Sequence, residues 1–282
     1  MVNIENSKMV HQIGQGGFGK IFLCEDNEGN QFVSKQITSN NSFYNELICY
    51  KELLKHTDYF PKFYNYFTSD LKKCIFLENC QEDLRNILDN EEEICEESFI
   101  VHIAQGLNIL KKKRIIHCDI KPENILYDSR SDLFKICDFG ISCYADGKKG
   151  FPVQTTYYRS PEVIFRKEYD FSIDIWSFGC IIYEIIYGNI FIQYKEEEVC
   201  FVKMIEKLGM PPEKIYKHFY EHNLQYIDGI PVLKNCKSIS DTCININKIE
   251  IGDTKEEEIM QMCLEWHPIK RITPEDIIRM YE

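Results

Sequence analysis

Four polar residues in the middle of the chain have the types and the order that phosphoryl transfer requires. Asp119, Lys121 and Asn124 are near neighbours, and Asp138 follows a short distance later. A carboxylate can accept the proton of an attacking hydroxyl, and a lysine ammonium can offset the charge of the phosphoryl group. An Asp and an Asn together offer the oxygen ligands that Mg²⁺ prefers. Residues 117–119 alone would more often be structural, so this interpretation needs support from the rest of the chain.

A glycine-rich segment near the start of the chain lies between two predicted strands and is followed by Ile21. Its residues are Gly14, Gln15, Gly16, Gly17, Phe18 and Gly19. Glycines allow a backbone to close over a polyphosphate without side-chain collisions, and Ile21 would then cover one face of an adenine. Taken alone, the segment could equally be a plain hairpin turn. The dinucleotide-binding fingerprint is disfavoured, because it requires a strand followed by a helix.

Lys35 lies in a predicted strand and counts as a functional residue only if it has an acidic partner. A helix predicted for residues 42–55 offers both Glu46 and Glu52. Glu46 shares the apolar face of that helix with Tyr50, whereas Glu52 points away from it. We therefore predict an ion pair between Lys35 and Glu46. The alternative is that Glu46 is an ordinary exposed glutamate.

Periodicity predicts the elements that hold these residues in place. Two further strands precede a connecting segment at residues 78–84, and the second of them ends at Leu77. From Glu97 the pattern becomes helical, with a long apolar stripe. Residues 125–136 form a predicted hairpin that presents Asp138. The sequence therefore predicts a strand-rich first part and a helical second part, which is an α+β fold.

The composition is that of a globular chain with a sizeable core. The chain has 282 residues, of which 44% are apolar, enough for one large domain or two lobes. It also has 13 cysteines, but no secretory signal opens the sequence. We therefore expect reduced thiols and a cytoplasmic or nuclear location. The cysteines form no CxxC pair, so no structural zinc site is predicted.

The charge pattern restricts the partners that we expect. A formal net charge of −12 argues against broad nucleic-acid binding, which needs clustered Lys and Arg. The basic run at residues 111–114 is interpreted as the solvated end of a helix. The most apolar stretch, residues 173–192, contains Asp174 and Glu184 and is therefore predicted to be a buried helix, not a membrane span. We expect protein substrates, no nucleic-acid or membrane partner, and a monomeric catalytic domain.

Taken together, these motifs resemble those of eukaryotic protein kinases over residues 13–280. The segments HCDIKPEN and DFG match the catalytic and metal-binding loops of that family, and FVSK matches the strand that carries its lysine. The segments HCD, QTTYYRSPEVIF, IDIWSFGCIIYEII and KLGMPP resemble more narrowly the dual-specificity tyrosine-regulated kinases (DYRK) and the homeodomain-interacting protein kinases of the CMGC group. The resemblance implies a single bilobal kinase domain over residues 1–282, with an N-lobe at 1–77, a hinge at 78–82 and a C-lobe at 83–282.

The same resemblance implies a role for each site residue. The catalytic residues would be Asp119, Lys121, Lys35 and Glu46, and the metal ligands would be Asn124 and Asp138. ATP would be bound by the glycine-rich segment together with Ile21, Val33, Lys35, Glu78, Cys80 and Asp83, with Leu77 at the gatekeeper position. The cofactors would be ATP and Mg²⁺, with Mn²⁺ as the alternative metal.

The resemblance also implies a substrate class. Lys121, two residues after Asp119, is typical of serine/threonine kinases, in which the equivalent of Thr155 hydrogen-bonds both. In the CMGC group an arginine matching Arg159 turns toward the backbone near Val153 and favours proline after the phospho-acceptor. The expected activity is therefore serine/threonine phosphorylation that is proline-directed, with dual-specificity autophosphorylation as a further expectation. The alternatives are a pseudokinase that acts as an ATP-binding scaffold and, less favoured, a small-molecule kinase.

Two departures from the family pattern bear on regulation. Pro152 stands where DYRK kinases autophosphorylate a tyrosine, two residues before the match to Gln154. Cys118 stands where most protein kinases have an arginine that receives an activation-loop phosphate. We therefore predict activity without phosphorylation of that loop. The resemblance also implies a structural ion pair, in which Arg271 near the C-terminus pairs with Glu162.

Overall fold

A computed structural model describes residues 2–17, 19–146, 153–227, 230–233, 246, 248–249 and 252–282. The chain forms two compact units, and each is described by itself. The first comprises Met1–Lys149 with Thr273–Glu282, and the second comprises Gly150–Ile272. The boundaries predicted for the two lobes and the hinge stay a prediction. Phe18 and Pro152 lie outside the described residues.

The first unit begins with a five-stranded antiparallel sheet in the order β1-β2-β3-β5-β4. The strands are β1 (Ser7–Gly16), β2 (Gly19–Asp26), β3 (Gln31–Ile37), β4 (Phe63–Thr68) and β5 (Lys73–Glu78). The register places Lys35 opposite both Ile21 and Ile75, and Val33 opposite Leu77. Side chains directly opposite one another, or two residues apart on a strand, share a face. Ile21, Val33, Lys35 and Leu77 therefore share one face of the sheet.

The turn between β1 and β2 contains a glycine that the backbone requires. Gly19 pairs with Gly16 and lies against β3. A Cβ atom at Gly19 would lie 1.7 Å from the carbonyl oxygen of Gln36, so no side chain fits there. The predicted hairpin around the glycine-rich segment is confirmed.

Helix α1 (Asn40–Glu52) lies between β3 and β4; it begins two residues before its predicted start and ends three residues before its predicted end. Its N-cap is Ser39, whose side chain accepts a hydrogen bond from the amide of Ser42. Of the apolar stripe predicted for this helix, Phe43, Leu47 and Tyr50 are buried, whereas Leu54 lies beyond the helix end and is exposed. The face that carries Glu46 is therefore packed against the sheet, because the 3.6-residue period aligns these positions.

The remainder of the first unit supports the residues around Asp119. The elements are β6 (Glu82–Asp83), α2 (Leu84–Asp89), α3 (Glu96–Lys112), β7 (Ile115–Ile116), β8 (Ile125–Asp128), β9 (Leu133–Ile136) and β10 (Cys143–Tyr144). Strands β6, β8 and β9 form one small sheet, and β7 pairs with β10. The predicted stripe of α3 is buried, and the predicted hairpin is the β8–β9 pair that precedes Asp138.

The second unit is mainly helical. Its elements are α4 (Pro161–Ile164), α5 (Ser172–Tyr187), α6 (Glu197–Leu208), α7 (Glu213–Asn223), β11 (Leu224–Ile227), β12 (Ile230–Leu233) and α8 (Lys255–Cys263). The final helix, α9 (Pro274–Arg279), belongs to the first unit, where it packs on α3. Helix α5 is buried over most of its length, as predicted. Among the described residues, no helix combines the length and the apolar character that crossing a membrane would need.

One buried ion pair organises the second unit. Arg271 donates to both carboxylate oxygens of Glu162, at 2.5 and 2.7 Å. Its guanidinium also donates to the carbonyl oxygens of Ser172 and Glu265, at 2.9 Å each. The predicted pairing of Arg271 with Glu162 is therefore confirmed. Because a planar guanidinium presents several donors at once, one side chain can tie three backbone segments together.

Candidate active site

Lys35 lies between two carboxylates in the first unit. Its ammonium is 2.8 Å from Glu46 Oε1 and 2.8 Å from Asp138 Oδ1. The structure thus brings Glu46 to Lys35, whereas Glu52 pairs at the surface with Lys113. Strand β3 supplies the lysine, and the buried face of α1 supplies the glutamate. The fold therefore places Lys35 and Glu46 beside Asp138, which lies about 100 residues later in the sequence.

The electrostatics of this cluster follow from burial and charge pairing. Burial lowers the pKa of Lys35, but the Glu46 and Asp138 carboxylates outweigh it and raise that pKa above its ordinary value. Burial raises the pKa of Glu46, and Lys35 offsets this only in part. Burial also acts to raise the pKa of Asp138, yet its contact with Lys35 lowers that pKa overall. The ammonium and the Asp138 carboxylate are therefore both charged at neutral pH.

The loop at residues 117–124 forms a second polar cluster. Lys121 Nζ lies 3.1 Å from Asp119 Oδ2. The side-chain amide of Asn124 donates to the Asp119 carbonyl oxygen at 2.9 Å and to Asp119 Oδ2 at 3.2 Å. The short 3-10 turn Pro122–Asn124 directs Asn124 back toward Asp119. The base candidate, the lysine and the first metal-ligand candidate are thus adjacent.

Backbone contacts connect this loop to Asp138. The amide of Cys137 donates to the carbonyl oxygen of Asn124 at 2.9 Å. The ring of His117 lies 2.9 Å from the Cys137 carbonyl oxygen through Nε2. Phe139 packs edge-on against both Tyr50 and His117, with ring centroids 5.2 and 5.1 Å apart. Asp138 is therefore fixed between a hydrogen-bonded loop and a column of aromatic rings.

Asn124 and Asp138 are suited to hold Mg²⁺. The nitrogen of the Asn124 side chain is occupied by Asp119, which leaves its amide oxygen as the atom that can meet a cation. Asp138 offers an ionised carboxylate. In such sites Mg²⁺ requires hard oxygen donors. One or two protein residues supply some of them, and phosphate oxygens complete the shell.

A cavity of about 270 Å³ adjoins both clusters within the first unit. The predicted site residues along its wall are Gly14, Ile21, Val33, Lys35, Glu46, Glu78, Cys80, Asp83, Asn124 and Asp138. Apolar side chains from the sheet form one part of the wall and charged groups form another, a combination typical of a ligand pocket. Its composition suits a flat apolar base joined to a polyphosphate.

The glycine-rich segment also fits a bound phosphate chain. At Gly16 and Gly17, a Cβ atom would meet nothing within 4 Å, and neither residue has a positive φ. Packing within the described chain therefore does not explain why these two residues are glycines. Close approach of a ligand to the backbone does explain it. Gln15, Gly16, Gly17 and Gly19 lie at the β1–β2 turn and not on the cavity wall.

Sequence reasoning missed several residues on the cavity wall. They include Tyr50, Pro61, Gln81, Glu82, Asn86, Glu123, Leu126 and Cys137. Leu126 lies on β8, directly after the turn that carries Asn124, and both residues line the cavity. Asp83, predicted to meet a ribose, also caps α2 by accepting a hydrogen bond from the Asn86 amide at 2.9 Å.

Cys80 presents backbone groups that a ligand could use. Within the described part of the chain, neither its amide nor its carbonyl has a hydrogen-bond partner. Its side chain is an uncharged thiol, because burial raises its pKa to about 12. Cys80 is partly exposed and lines the cavity, so its unpaired amide and carbonyl are available to the edge of a ligand.

In the second unit, Arg159 is fixed against the backbone that precedes it. Its guanidinium donates to the Val153 carbonyl oxygen at 3.0 Å and to the Gln154 carbonyl oxygen at 2.7 Å. Glu197 at the start of α6 contacts the same guanidinium. The contact predicted for Arg159 near Val153 is therefore present.

Gln154, the residue whose carbonyl Arg159 contacts, has a left-handed φ of 66°. Its side chain is buried and bonds to the Ile173 carbonyl and to Ser177 and Ser160.

Comparison with known families agrees with this geometry. A model of the protein kinase domain matches residues 7–281. The chain belongs to the protein kinase family. The predicted kinase fold is confirmed, with its strand-rich N-terminal region and its helical C-terminal region.

Individual relatives are protein kinases, and several of them are dual specificity tyrosine-phosphorylation-regulated kinases. The kinase is 30% identical over 95% of its chain to dual specificity tyrosine-phosphorylation-regulated kinase 2 of Drosophila melanogaster, covering 40% of that protein. It is 28% identical over 96% of its chain to the human kinase 4 of the same series, covering 56% of it. Serine/threonine-protein kinase ppk15 of Schizosaccharomyces pombe is 30% identical over 84% of this chain, which covers 48% of ppk15. The chain thus spans about half the length of these relatives, and the predicted resemblance to the DYRK group is confirmed.

Proposed function

We propose that this kinase transfers the γ-phosphoryl group of ATP to serine and threonine hydroxyls of proteins. The observation that carries the proposal is the joining of two polar clusters, Lys35–Glu46–Asp138 and Asp119–Lys121–Asn124, through the Cys137–Asn124 backbone bond. A pseudokinase would be expected to lack at least one of these groups, and each is present with a partner. Positioning and charge stabilisation supply most of the acceleration in phosphoryl transfer, so a complete and ordered set favours turnover.

Each residue has a distinct task in the proposed reaction. Lys35 binds and orients the phosphates, and Glu46 holds its ammonium in place. Asp119 accepts the proton of the substrate hydroxyl, and Lys121 offsets negative charge as the phosphoryl group moves. Bound Mg²⁺, with Asn124 and Asp138 as its protein ligands, supplies further neutralisation of the phosphate charge.

The contacts of Arg159 support a proline-directed substrate preference. The guanidinium occupies the carbonyl oxygens of Val153 and Gln154. A substrate residue after the acceptor would leave its amide N–H without those acceptors, whereas proline has no N–H to satisfy. Proline would thus be preferred because every other residue would leave an unsatisfied N–H group at this position. The contacts predicted for Thr155 stay a prediction.

We also propose that activity does not require a phosphate on the activation loop. Cys118 is buried, and its thiol contacts the Ile116 carbonyl oxygen and lies 3.7 Å from Cys143 Sγ. A buried thiol offers none of the N–H donors with which an arginine receives a phosphate. Treatment of the purified kinase with a phosphatase should leave its activity unchanged. A large loss that maps to a loop phosphate would contradict this proposal.

The main experiment compares the wild-type kinase with Asp119→Asn. Turnover of ATP with a peptide that carries Ser-Pro should fall by about 10²–10⁴ in the variant, the usual contribution of a positioned base. Full activity of Asp119→Asn would refute the assigned base. A wild-type chain that binds ATP without turnover would instead favour the pseudokinase.

Matched peptides test the substrate class. A Ser-Pro peptide should be phosphorylated faster than its Ser-Ala counterpart by about tenfold, as expected for one unsatisfied amide. A Tyr-Pro peptide should be a poor substrate. Equal rates for Ser-Pro and Ser-Ala would exclude proline direction and would leave the kinase assignment intact.

A further inference from the structure

We propose that the β8–β9 turn and Lys135 act as a clamp that positions the hinge segment, residues 78–81, for binding of adenine. The clamp consists of Asp128, Ser129, Arg130 and Lys135. This inference rests on the proposed function, because it concerns how the ATP cavity is built. It assigns a role in nucleotide affinity to residues that do not line the cavity.

Lys135 anchors the start of the hinge segment. The residue is only 4% exposed, and its ammonium lies 2.7 Å from Glu78 Oε2. The carboxylate of Asp128 lies 4.0 Å from the same ammonium. A buried lysine needs such partners, because an unpaired buried charge is strongly destabilising. The Glu78 side chain is thereby held by a residue far away in the sequence.

Glu78 is held through its backbone as well. Its amide donates to the Lys62 carbonyl oxygen at 2.8 Å, and its carboxylate accepts from the Lys62 amide at 3.1 Å. Together with Lys135, these contacts fix both the backbone and the side chain of Glu78. The first hinge residue on the cavity wall therefore has little freedom to rotate.

Arg130 and Ser129 anchor the middle and the end of the hinge segment. Arg130 donates to the Asn79 carbonyl oxygen at 2.8 Å and is itself held by Asp128 at 2.8 Å. The side chain of Gln81 accepts hydrogen bonds from the Ser129 amide at 2.9 Å and from its hydroxyl at 3.1 Å. The three hinge residues other than Cys80 are thus tied to the rest of the first unit.

This pattern leaves Cys80 between two anchored neighbours. Its amide and carbonyl have no hydrogen-bond partner in the described part of the chain, and Cys80 lines the cavity. Ordering a flexible backbone on binding costs free energy, and a segment that is ordered beforehand avoids that cost. The clamp should therefore increase affinity for adenine without changing the groups that react. Its loss should raise the dissociation constant of adenine ligands and leave kcat nearly unchanged.

The principal test is Arg130→Ala in the full chain. The side chain of Arg130 is 58% exposed, so the variant is expected to fold. Adenosine and ATP should both bind about three- to tenfold more weakly, the range for one ordinary hydrogen bond, with kcat within about twofold of wild type. Arg279→Ala is the matched control, because Arg279 is 70% exposed and also pairs with a nearby aspartate, Asp276, at 2.9 Å. It should change neither dissociation constant.

A second variant tests the buried anchor. Lys135→Met should weaken adenosine binding by more than tenfold, and Lys135→Arg should restore most of the affinity. If Lys135→Met does not fold, the affinity of Arg130→Ala for adenosine still decides the matter. Adenosine lacks phosphates, so the Asp138→Asn variant should weaken binding of ATP with Mg²⁺ while leaving adenosine binding unchanged. This separates the clamp from the phosphate end of the site.

Folded Arg130→Ala and Lys135→Met proteins with wild-type affinity for adenosine would overturn the clamp. A fall in kcat with unchanged affinity would overturn it as well. If the wild-type chain bound neither ATP nor adenosine, the proposed function would fail first. The two failures are therefore distinguishable.

Discussion

Each unit contains a buried ion cluster, and the two clusters differ in how fully their charges are compensated by hydrogen-bond partners. In the second unit, Arg271 and Glu162 are 1% and 3% exposed, and the guanidinium donates four hydrogen bonds. In the first unit, Lys35 is 8% exposed and is shared between Glu46 and Asp138. Glu46 Oε2 has no hydrogen-bond partner among the described residues, and Asp138 is 26% exposed. One cluster is saturated, and the other retains capacity for a ligand.

The difference shows what each cluster is suited to do. A saturated buried pair contributes mainly to a single well-defined fold, and removing one partner leaves a charge with no compensation. An unsaturated cluster beside a cavity keeps electrostatic capacity for phosphates and a metal ion. We therefore expect substitutions in the Arg271–Glu162 cluster to act on stability. Substitutions in the Lys35–Glu46–Asp138 cluster should act on activity.

The largest effect is expected for Arg271→Met. The free energy of unfolding should fall by about 3–5 kcal/mol, because the Glu162 carboxylate would remain buried without its partner. Urea denaturation measures this change. The double variant Arg271→Met with Glu162→Leu should recover much of the loss. Equal destabilisation of the single and the double variant would mean that the ion pair is not the cause.

The next effect concerns Lys35→Met, which should lower kcat/KM by about 10²–10³, the range for losing one stabilising donor in an active site. Its stability should fall less than that of Arg271→Met. Burial raises the pKa of Glu46, so that carboxyl can take up a proton when the lysine is absent. Steady-state kinetics and urea denaturation on the same protein provide both values. A stability loss as large as that of Arg271→Met would remove the contrast between the clusters.

A smaller effect is expected for Glu46→Gln. The amide can still accept a hydrogen bond from Lys35 but no longer carries charge, so kcat/KM should fall by about tenfold. Glu52→Gln is the matched control on the same helix, where the carboxylate pairs with Lys113 at the surface. It should behave as the wild type in the same assay. Equal losses in both variants would point to the helix and not to the ion pair.

The smallest effect concerns Asp26, a buried carboxylate that precedes an exposed turn. Asp26 accepts hydrogen bonds from Asn30 and from the amides of Asn3 and Glu28, which lower its pKa to about 2. Its stabilising effect is therefore present above the unfolded pKa of about 4 and is lost as the pH falls toward 2. Asp26→Asn should show a smaller drop in Tm between pH 7 and pH 3 than the wild type. An identical drop would contradict the prediction.

Much of the fold could be predicted because local patterns carry it. Alternation along residues 31–37 and the 3.6-residue stripe of α1 specify which side of each element is buried. That phase was enough to choose Glu46 over Glu52. The start of α1 was harder, since Ser39 and Ser42 are both good capping residues and only the backbone geometry distinguishes them.

The clamp behind the hinge segment could not be predicted from the sequence. Arg130 is an ordinary residue for a turn, and Lys135 is an ordinary residue for a strand. Nothing in the local sequence indicates that they contact Asn79 and Glu78. Their contacts join positions 57 and 51 residues apart in the chain. Such pairings depend on how strands β5, β8 and β9 are brought together, which no local periodicity specifies.

The sequence by itself determined the chemistry of this kinase: the identity and order of Lys35, Asp119, Asn124 and Asp138, and the elements that carry them. Side-chain type and spacing are sufficient for that, because reactivity and local conformation are short-range properties. Only the tertiary structure decided which of these groups are saturated and which keep capacity for a ligand. Burial and hydrogen-bond partners are properties of the packed molecule, since they depend on residues that are distant in the chain.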